Sequence, residues 1–342
     1  MLARKLKERV EALSLDLRGK TVLTEAASGP YVVTPVLAAL AGARVFAYSR
    51  TTRYGTAEQV FEATRKLAAE AGVEVNLITD ITPEIIAVAD IITNSGHLRP
   101  LNRERLQYAK DGLAIPLMYE AWEWREADMD IEYIRERGFL LGATNERHPD
   151  IDVFNYLGDM AIRQIFDAGT CPYKNKFILL CNNDFGPYMA KVIARNCEEL
   201  LIIDKDENRD KYELPGNTVW GGGFPEINIP ENFKNAEAVI FTAYPFDQVW
   251  IDETGPVKVA ALARQLNNPF VLRYAGDVNT DALQKEGIRY FPEHVHSGHM
   301  GILPSAVGND PIIRLQAGGL KAAEALVTGQ HFYKNLPIVE LI

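Results

Sequence analysis

The chain has 342 residues, with 36 Lys and Arg against 46 Asp and Glu and a formal charge of −10. That length exceeds what one hydrophobic core usually organises, so two domains are expected, and 47% hydrophobic with 24% charged residues is the composition of a folded protein. The acidic balance argues against a surface built for nucleic acid or anionic lipid, which needs a basic face, and leaves small molecules and proteins as partners.

Cys171, Cys181 and Cys197 lack paired metal-type spacing, so reduced thiols are expected, with neither a disulfide framework nor a zinc site. No run approaches the ~18 apolar residues of a membrane span and the charged, amphipathic start has no apolar signal core, which gives a cytoplasmic expectation. After that first helix, β-rich runs alternate with helical stretches: TVLTE (21–25), a helix through VLAALAGA, then RVFAYSR (44–50), VNLITD (75–80), DIITNSG (90–96) and LAIPLMY (113–119). From Lys176 the pattern restarts with KFILLC (176–181), ELLIIDK (199–205), NTVWGG (217–222), AVIFTAY (238–244), PFVLRYAG (269–276) and IRYFP (288–292).

Strands alternating with helices mean βαβ units and parallel sheets, so the expected fold is α/β with two Rossmann-like or flavodoxin-like lobes and an interlobe cleft. Each half carries a strand, a GPY turn (29–31 and 186–188), a helix and a second strand. A helical run, 150–169, is suited to crossing from one lobe to the other, and a second, 310–329, is expected to return to the first lobe.

Several places carry chemistry. Asp204 ends the second strand of the second half, where a carboxylate can accept hydrogen bonds from an adenosine ribose; the alternative is a polar start to the DKDENRD turn. In the first half, the Thr24–Tyr31 turn precedes a helix, and Ser49-Arg50-Thr51-Thr52-Arg53 after the second strand resembles the 2′-phosphate clamp of some NADP-binding Rossmann proteins, although Glu25 would repel phosphate. The segment Glu293-His294-Val295-His296-Ser297-Gly298-His299 holds three of the six histidines and suits neutral-pH acid/base work or substrate hydrogen bonding; a metal reading of H-x-H-x-x-H lacks a companion carboxylate or thiolate of suitable spacing.

Four segments in order, 127–158, 236–248 (AEAVIFTAYPFDQ), 271–288 (VLRYAGDVNTDALQKEGI) and 318–339, resemble the D-isomer-specific 2-hydroxyacid dehydrogenase superfamily, which includes formate and glycerate dehydrogenases. The resemblance implies a discontinuous catalytic lobe (1–152 with 304–342), an interdomain helix (153–172) and a nucleotide-binding lobe (173–303). It implies an NAD(P)-dependent oxidoreductase acting on a small carboxylate-bearing substrate, with Arg273 on the substrate carboxylate and His296 or His294 exchanging the proton. Tyr274 is a rival for the Arg273 slot. Glu293 is the nearest candidate to orient the histidine.

The same resemblance puts Asn94, Ser95, Gly96, His97 and Arg99 beside the substrate, and Asn183, Phe185, Gly186, Asp204, Tyr244 and Pro245 beside the cofactor. It also implies a homodimer. The glycine fingerprint is degenerate: Cys181-Asn182-Asn183-Asp184-Phe185-Gly186 keeps only its last glycine. The alternatives are a nucleotide- or S-adenosylmethionine-binding transferase, or a noncatalytic ligand-binding protein, on the same fold.

Overall fold

A computed structural model describes residues 1–52, 55–213 and 215–342, which fall into two units, Met1–Val153 with Gly308–Ile342 and Phe154–Val307. Arg53, half of the expected arginine clamp, lies outside the described residues.

In the first unit, β1 (Thr21–Glu25), β2 (Arg44–Tyr48), β3 (Asn76–Ile78), β4 (Ile91–Ile92), β5 (Ala114–Leu117) and β6 (Leu140–Thr144) form parallel ladders, and the last strand, Val339–Leu341, adds antiparallel to β6. The order is Val339–Leu341, β6, β5, β4, β1, β2, β3. The chain therefore winds outward from β1 to β3, then returns to the other side of β1 with β4. Central strands covered on both faces read as apolar runs, and Ala114–Leu117 is buried throughout.

Helix Ala57–Ala71 starts on a reciprocal Thr56–Gln59 capping box and stops at Gly72, whose φ of 74° is the left-handed conformation that favours glycine. The long helix Asp310–Thr328 packs on β5, β6 and helix Val33–Leu40 of this unit. Leu37, Val36, Ile312, Ala317 and Leu320 are fully buried in their common core, at 0% exposure.

The second unit holds β7 (Lys176–Cys181), β8 (Glu199–Ile203), β9 (Thr218–Trp220), β10 (Ala238–Thr242), the short β11 (Val249–Asp252) and β12 (Val257–Lys258), then β13 (Phe270–Ala275), β14 (Asp277–Val278) and β15 (Arg289–Phe291). Its main sheet runs β15, β13, β10, β7, β8, β9, all parallel, so the direction of winding reverses between β7 and β10. A smaller sheet, β12, β11, β14, was not visible in the sequence because two of its strands have only two residues.

Helix Tyr156–Asp167, read from sequence as a separate connector, packs within the second unit against helix Gly186–Asn196 and β13. Its buried Gln164 donates through Nε2 to the Arg273 carbonyl at 2.9 Å. The observed unit boundaries lie at Val153/Phe154 and Val307/Gly308.

Candidate functional site

Open parallel sheets bind ligands beyond the carboxyl ends of their strands, where the strand order reverses. In the first unit that place lies between β1 and β4, and the loops there are Glu25–Gly29 and Asn94–Arg99. Thr24, Thr93 and Asn94 are fully buried at 0% exposure. Thr93 Oγ1 donates to Thr24 Oγ1 at 2.8 Å and lies 2.8 Å from Ser95 Oγ. Glu25 Oε2 accepts from the His97 amide at 2.9 Å, so the carboxylate that would repel phosphate is already turned onto the neighbouring loop.

Arg99, which the resemblance puts beside the substrate, bonds to its own loop and to Asp128. Its Nε donates to Asn94 Oδ1 at 2.6 Å, Nη2 to the Asn94 carbonyl at 3.1 Å, Nη1 pairs with Asp128 at 3.1 Å, and its guanidinium lies over the Tyr119 ring. The Asn94 amide in turn donates to the Tyr119 hydroxyl at 2.9 Å. These contacts hold Asn94, Ser95, Gly96 and His97 in one shape. His97 Nδ1 is buried without a hydrogen-bond partner among the described residues.

The ends of β5 and β6 bring three more carboxyls to the same edge, and sequence reasoning missed them because Glu120 and Glu123 sat in an aromatic-looking run and Glu146 in a crossover. Glu120 accepts from Trp122 Nε1 at 2.8 Å and pairs with Arg147 at 3.3 Å. Burial raises its pKa, against the opposing pull of Arg147. Burial and the neighbouring Glu120 push Glu123 up to about 7, although part of that residue stays accessible. Glu146 is held well above the usual carboxylate range by burial, then by Glu123 and Glu120. Burial, with Glu146, Glu25 and Glu123 nearby, pushes the Tyr31 phenol up to about 12.

In the second unit the reversal lies between β7 and β10, where the residues expected at the cofactor gather. The turn after β7 closes without the glycines of the fingerprint. Asn183 Oδ1 accepts from the Phe185 amide at 3.1 Å, and its Nδ2 donates to Thr242 Oγ1 at 3.0 Å. Asn182 braces the same turn, accepting the Tyr244 amide at 2.8 Å and donating to the Tyr244 carbonyl at 3.3 Å.

This is side-chain capping of a tight turn, the use for which Asn is suited. It has a consequence for anions. The amides of Phe185 and Gly186 are committed to Asn183, and Pro187 has none. The Phe185 ring packs edge-on against Phe154 and Tyr274, at 5.6 and 6.3 Å between centroids, and is core. Pro245 offers its carbonyl to Trp250 Nε1 at 2.8 Å.

Asp204 follows β8 as expected, but it is buried at 0% exposure. Its Oδ1 accepts from the Lys205 amide at 2.6 Å and Asn208 Nδ2 at 3.0 Å, and its Oδ2 accepts from the Tyr212 hydroxyl at 2.6 Å. Burial raises the Asp204 pKa against those bonds, and the buried Cys181 thiol beside it is also pushed up, first by burial and then by Asp204. A Cβ on Gly186 would collide with the Tyr212 hydroxyl and stand 2.5 Å from Cys181 Sγ, which is why only glycine fits there.

Arg273 lies on β13 where the sequence put it, but its guanidinium is 6% exposed as a residue and turned inward. Its Nε donates to the Gly276 carbonyl at 2.9 Å, Nη1 to the Val295 carbonyl at 3.3 Å, and Nη2 to the His296 and His299 carbonyls at 3.4 Å and to Asp277. Asp277 also accepts from Ser297 Oγ and from the Gly298 amide at 3.1 Å. A buried Arg–Asp pair thus fixes the backbone of the histidine loop. Asp277 was missed because the resemblance drew attention to the arginine alone. Tyr274, the rival for that slot, is fully buried and donates to the Leu157 carbonyl at 3.0 Å.

His294, His296 and His299 are exposed, with the rings of His296 and His299 5.9 Å apart and edge-on. Glu293 is exposed too and makes no hydrogen bond to a histidine among the described residues. His299 Nδ1 lies 3.0 Å from the Ser297 carbonyl, which sets that ring. Among the described residues no group of three or more His, Cys, Asp or Glu is arranged to hold a metal ion. His148, at the expected crossover, is a structural residue, with Nε2 3.0 Å from the Tyr333 carbonyl and Nδ1 accepting from the Asp150 amide at 3.1 Å.

No protein-family model matches the sequence, and no curated protein matches it significantly. Solved structures do match in fold. The dipicolinate synthase chain solved from Bacillus halodurans aligns over 92% of this chain and 98% of its own at 12% identity, with a TM-score of 0.54. D-lactate dehydrogenase with NAD+ from Lactobacillus jensenii aligns over 94% of this chain and 99% of its own at 13% identity, with a TM-score of 0.49. NAD-dependent formate dehydrogenase from Staphylococcus aureus, in complex with NAD, aligns over 94% and 98% at 12% identity, with a TM-score of 0.47. At these identities the likeness is one of fold, carried by the first of the three.

Proposed function

We propose that the chain is an oxidoreductase of the D-2-hydroxyacid dehydrogenase type, which takes NAD or NADP by its adenosine ribose in the second unit and acts on a small carboxylate-bearing substrate. The observation that carries this reading is Asp204. It follows β8, the strand next to β7 at the strand-order reversal, and its carboxylate already holds a hydroxyl, that of Tyr212, at 2.6 Å. A ribose hydroxyl makes the same charge-assisted bond. Bound at this edge, the nicotinamide would supply hydride exchange.

The protein's own contributions are separate from that chemistry. The loop 294–299 presents three imidazoles on a backbone fixed by Arg273 and Asp277, and imidazole is the side chain that exchanges a proton near neutral pH. The Asn94–His97 loop, braced by its own hydrogen bonds, brings the Ser95 hydroxyl and the His97 ring to the edge of the first sheet, the kind of polar lining that orients a small substrate.

A second reading is favoured by one observation. The Phe185 and Gly186 amides are committed to Asn183 and Pro187 has none, so the turn offers no backbone donors at those positions to a pyrophosphate. An adenosine ligand without pyrophosphate, such as S-adenosylmethionine, meets Asp204 without that demand. Titration calorimetry with NAD, NADP, S-adenosylmethionine and adenosine separates the two. The first reading expects NAD or NADP to bind and Asp204→Ala to weaken it by roughly tenfold to a hundredfold, the loss of one charge-assisted hydrogen bond. Binding of S-adenosylmethionine alone would replace it with the second, and no binding of any of the four would overturn both.

A further inference from the structure

We propose that Tyr212 is the specificity-determining residue of the Asp204 site: its phenol occupies the place of a ribose hydroxyl and has to leave before an adenosine-bearing ligand can enter. The inference rests on the reading that Asp204 receives an adenosine ribose. It goes beyond that reading by naming the group that competes for the carboxylate.

Three observations carry it. The first is saturation. Asp204 is fully buried and each of its oxygens already accepts: Oδ1 from Lys205 and Asn208, Oδ2 from Tyr212. Of these donors Tyr212 stands furthest along the chain, at the C-cap of the 3-10 stretch Asp206–Lys211, and it reaches Asp204 through its side chain alone. Its departure frees one oxygen and leaves the turn intact.

The second is volume. The Tyr212 hydroxyl fills the space that the absent side chain of Gly186 leaves beside Cys181. In nucleotide-binding folds the last glycine of the fingerprint, the one kept here as Gly186, makes room beside the helix start for close packing. Here a side chain of the protein uses the room.

The third is the way the ring is held. Tyr212 is 7% exposed and packs against Trp220 with ring centroids 5.3 Å apart, and Trp220 Nε1 donates to Asp206 Oδ1 at 3.3 Å, at the start of the same 3-10 stretch. Lys211 next to it reaches Asp184 at 3.1 Å, a half-exposed pair of the kind that contributes little. The ring therefore rests on Trp220, on the hydroxyl bond to Asp204 and on the space beside Gly186 and Cys181. Trp220 reports directly on whether it is in place.

Adenosine and NAD are titrated calorimetrically into wild type, Tyr212→Ala and Tyr212→Phe, and indole emission is followed in wild type and in Trp220→Phe. The expected result is at least tenfold tighter binding of adenosine by Tyr212→Ala, lost again when Asp204→Asn is added, with an emission change on binding in wild type that Trp220→Phe lacks. Tyr212→Phe keeps the ring and removes the hydroxyl. It guards against a folding failure of the alanine variant and is expected to bind adenosine tighter than wild type by a smaller factor. Affinity unchanged or weakened in both folded variants, while wild type binds in an Asp204-dependent way, overturns the role of Tyr212 and leaves the proposed function standing. Absence of binding in wild type and both variants overturns the proposed function and this inference together.

Discussion

At the scale of single residues, two of the arginines picked from the sequence bond to the protein's own loops. Arg99 and Arg273 stand at the carboxyl edges of their sheets, yet each guanidinium is turned back on the loop it supports. A fork with five donors suits that work as well as it suits a substrate carboxylate, and sequence cannot tell the two uses apart. The carboxyls tell the opposite story: Glu123 and Glu146 carried no motif, and only folding shows them crowded with Glu120 and Tyr31.

That crowding has a pH signature. Glu123 binds its proton more tightly in the folded chain, near pH 7 against an ordinary 4.5, so its contribution to stability is complete below pH 4.5 and is lost as the pH rises through 7. Glu123→Gln removes that titration. Urea denaturation across pH 4.5 to 8.5 is therefore expected to show wild type losing stability relative to the variant over this range, with most of the loss before the upper end. Parallel stability curves for the two proteins would show that the Glu123 carboxyl is not raised.

At the scale of elements, the alternation of apolar runs was enough to find the strands of both main sheets except β6 and the short edge strand Val339–Leu341. β6 was hidden because LLGAT carries a glycine in its middle, and the edge strand because it has only three residues. The two-residue strands of the small sheet exist only because β11 lies beside them, and no local pattern announces such strands. The turn after β7 was located correctly by the degenerate fingerprint, but its mechanism was not: Asn183 supplies by hydrogen bonding what glycine supplies by conformational freedom.

The histidine loop was found by composition, and what holds it was not, because Asp277 lies on a separate strand about 20 residues upstream. Asp277 and Arg273 are both buried, so Asp277→Ala leaves an unpaired guanidinium. The expected cost is about 3–5 kcal/mol, the usual consequence of breaking a buried pair from one side. Hydrogen exchange should localise the damage to 294–300. A cost under about 1 kcal/mol, within the range of exposed ion pairs, would mean that the pair does not hold the loop.

At the scale of the whole molecule, two α/β units each bring a polar loop cluster to the carboxyl edge of a parallel sheet, and the likeness in fold to the dipicolinate synthase chain runs over 92% of this one. A fold of this kind hosts several chemistries, so the place where a ligand binds decides the function. Hydrogen-exchange mass spectrometry with and without saturating NAD locates it. Changed exchange is expected in the second unit at 181–186, 204–212 and 242–245, with little change along Glu25–Gly29 and at Arg50 in the first unit. Protection confined to those first-unit segments, with 204–212 unaltered, would contradict the assignment of the cofactor to Asp204.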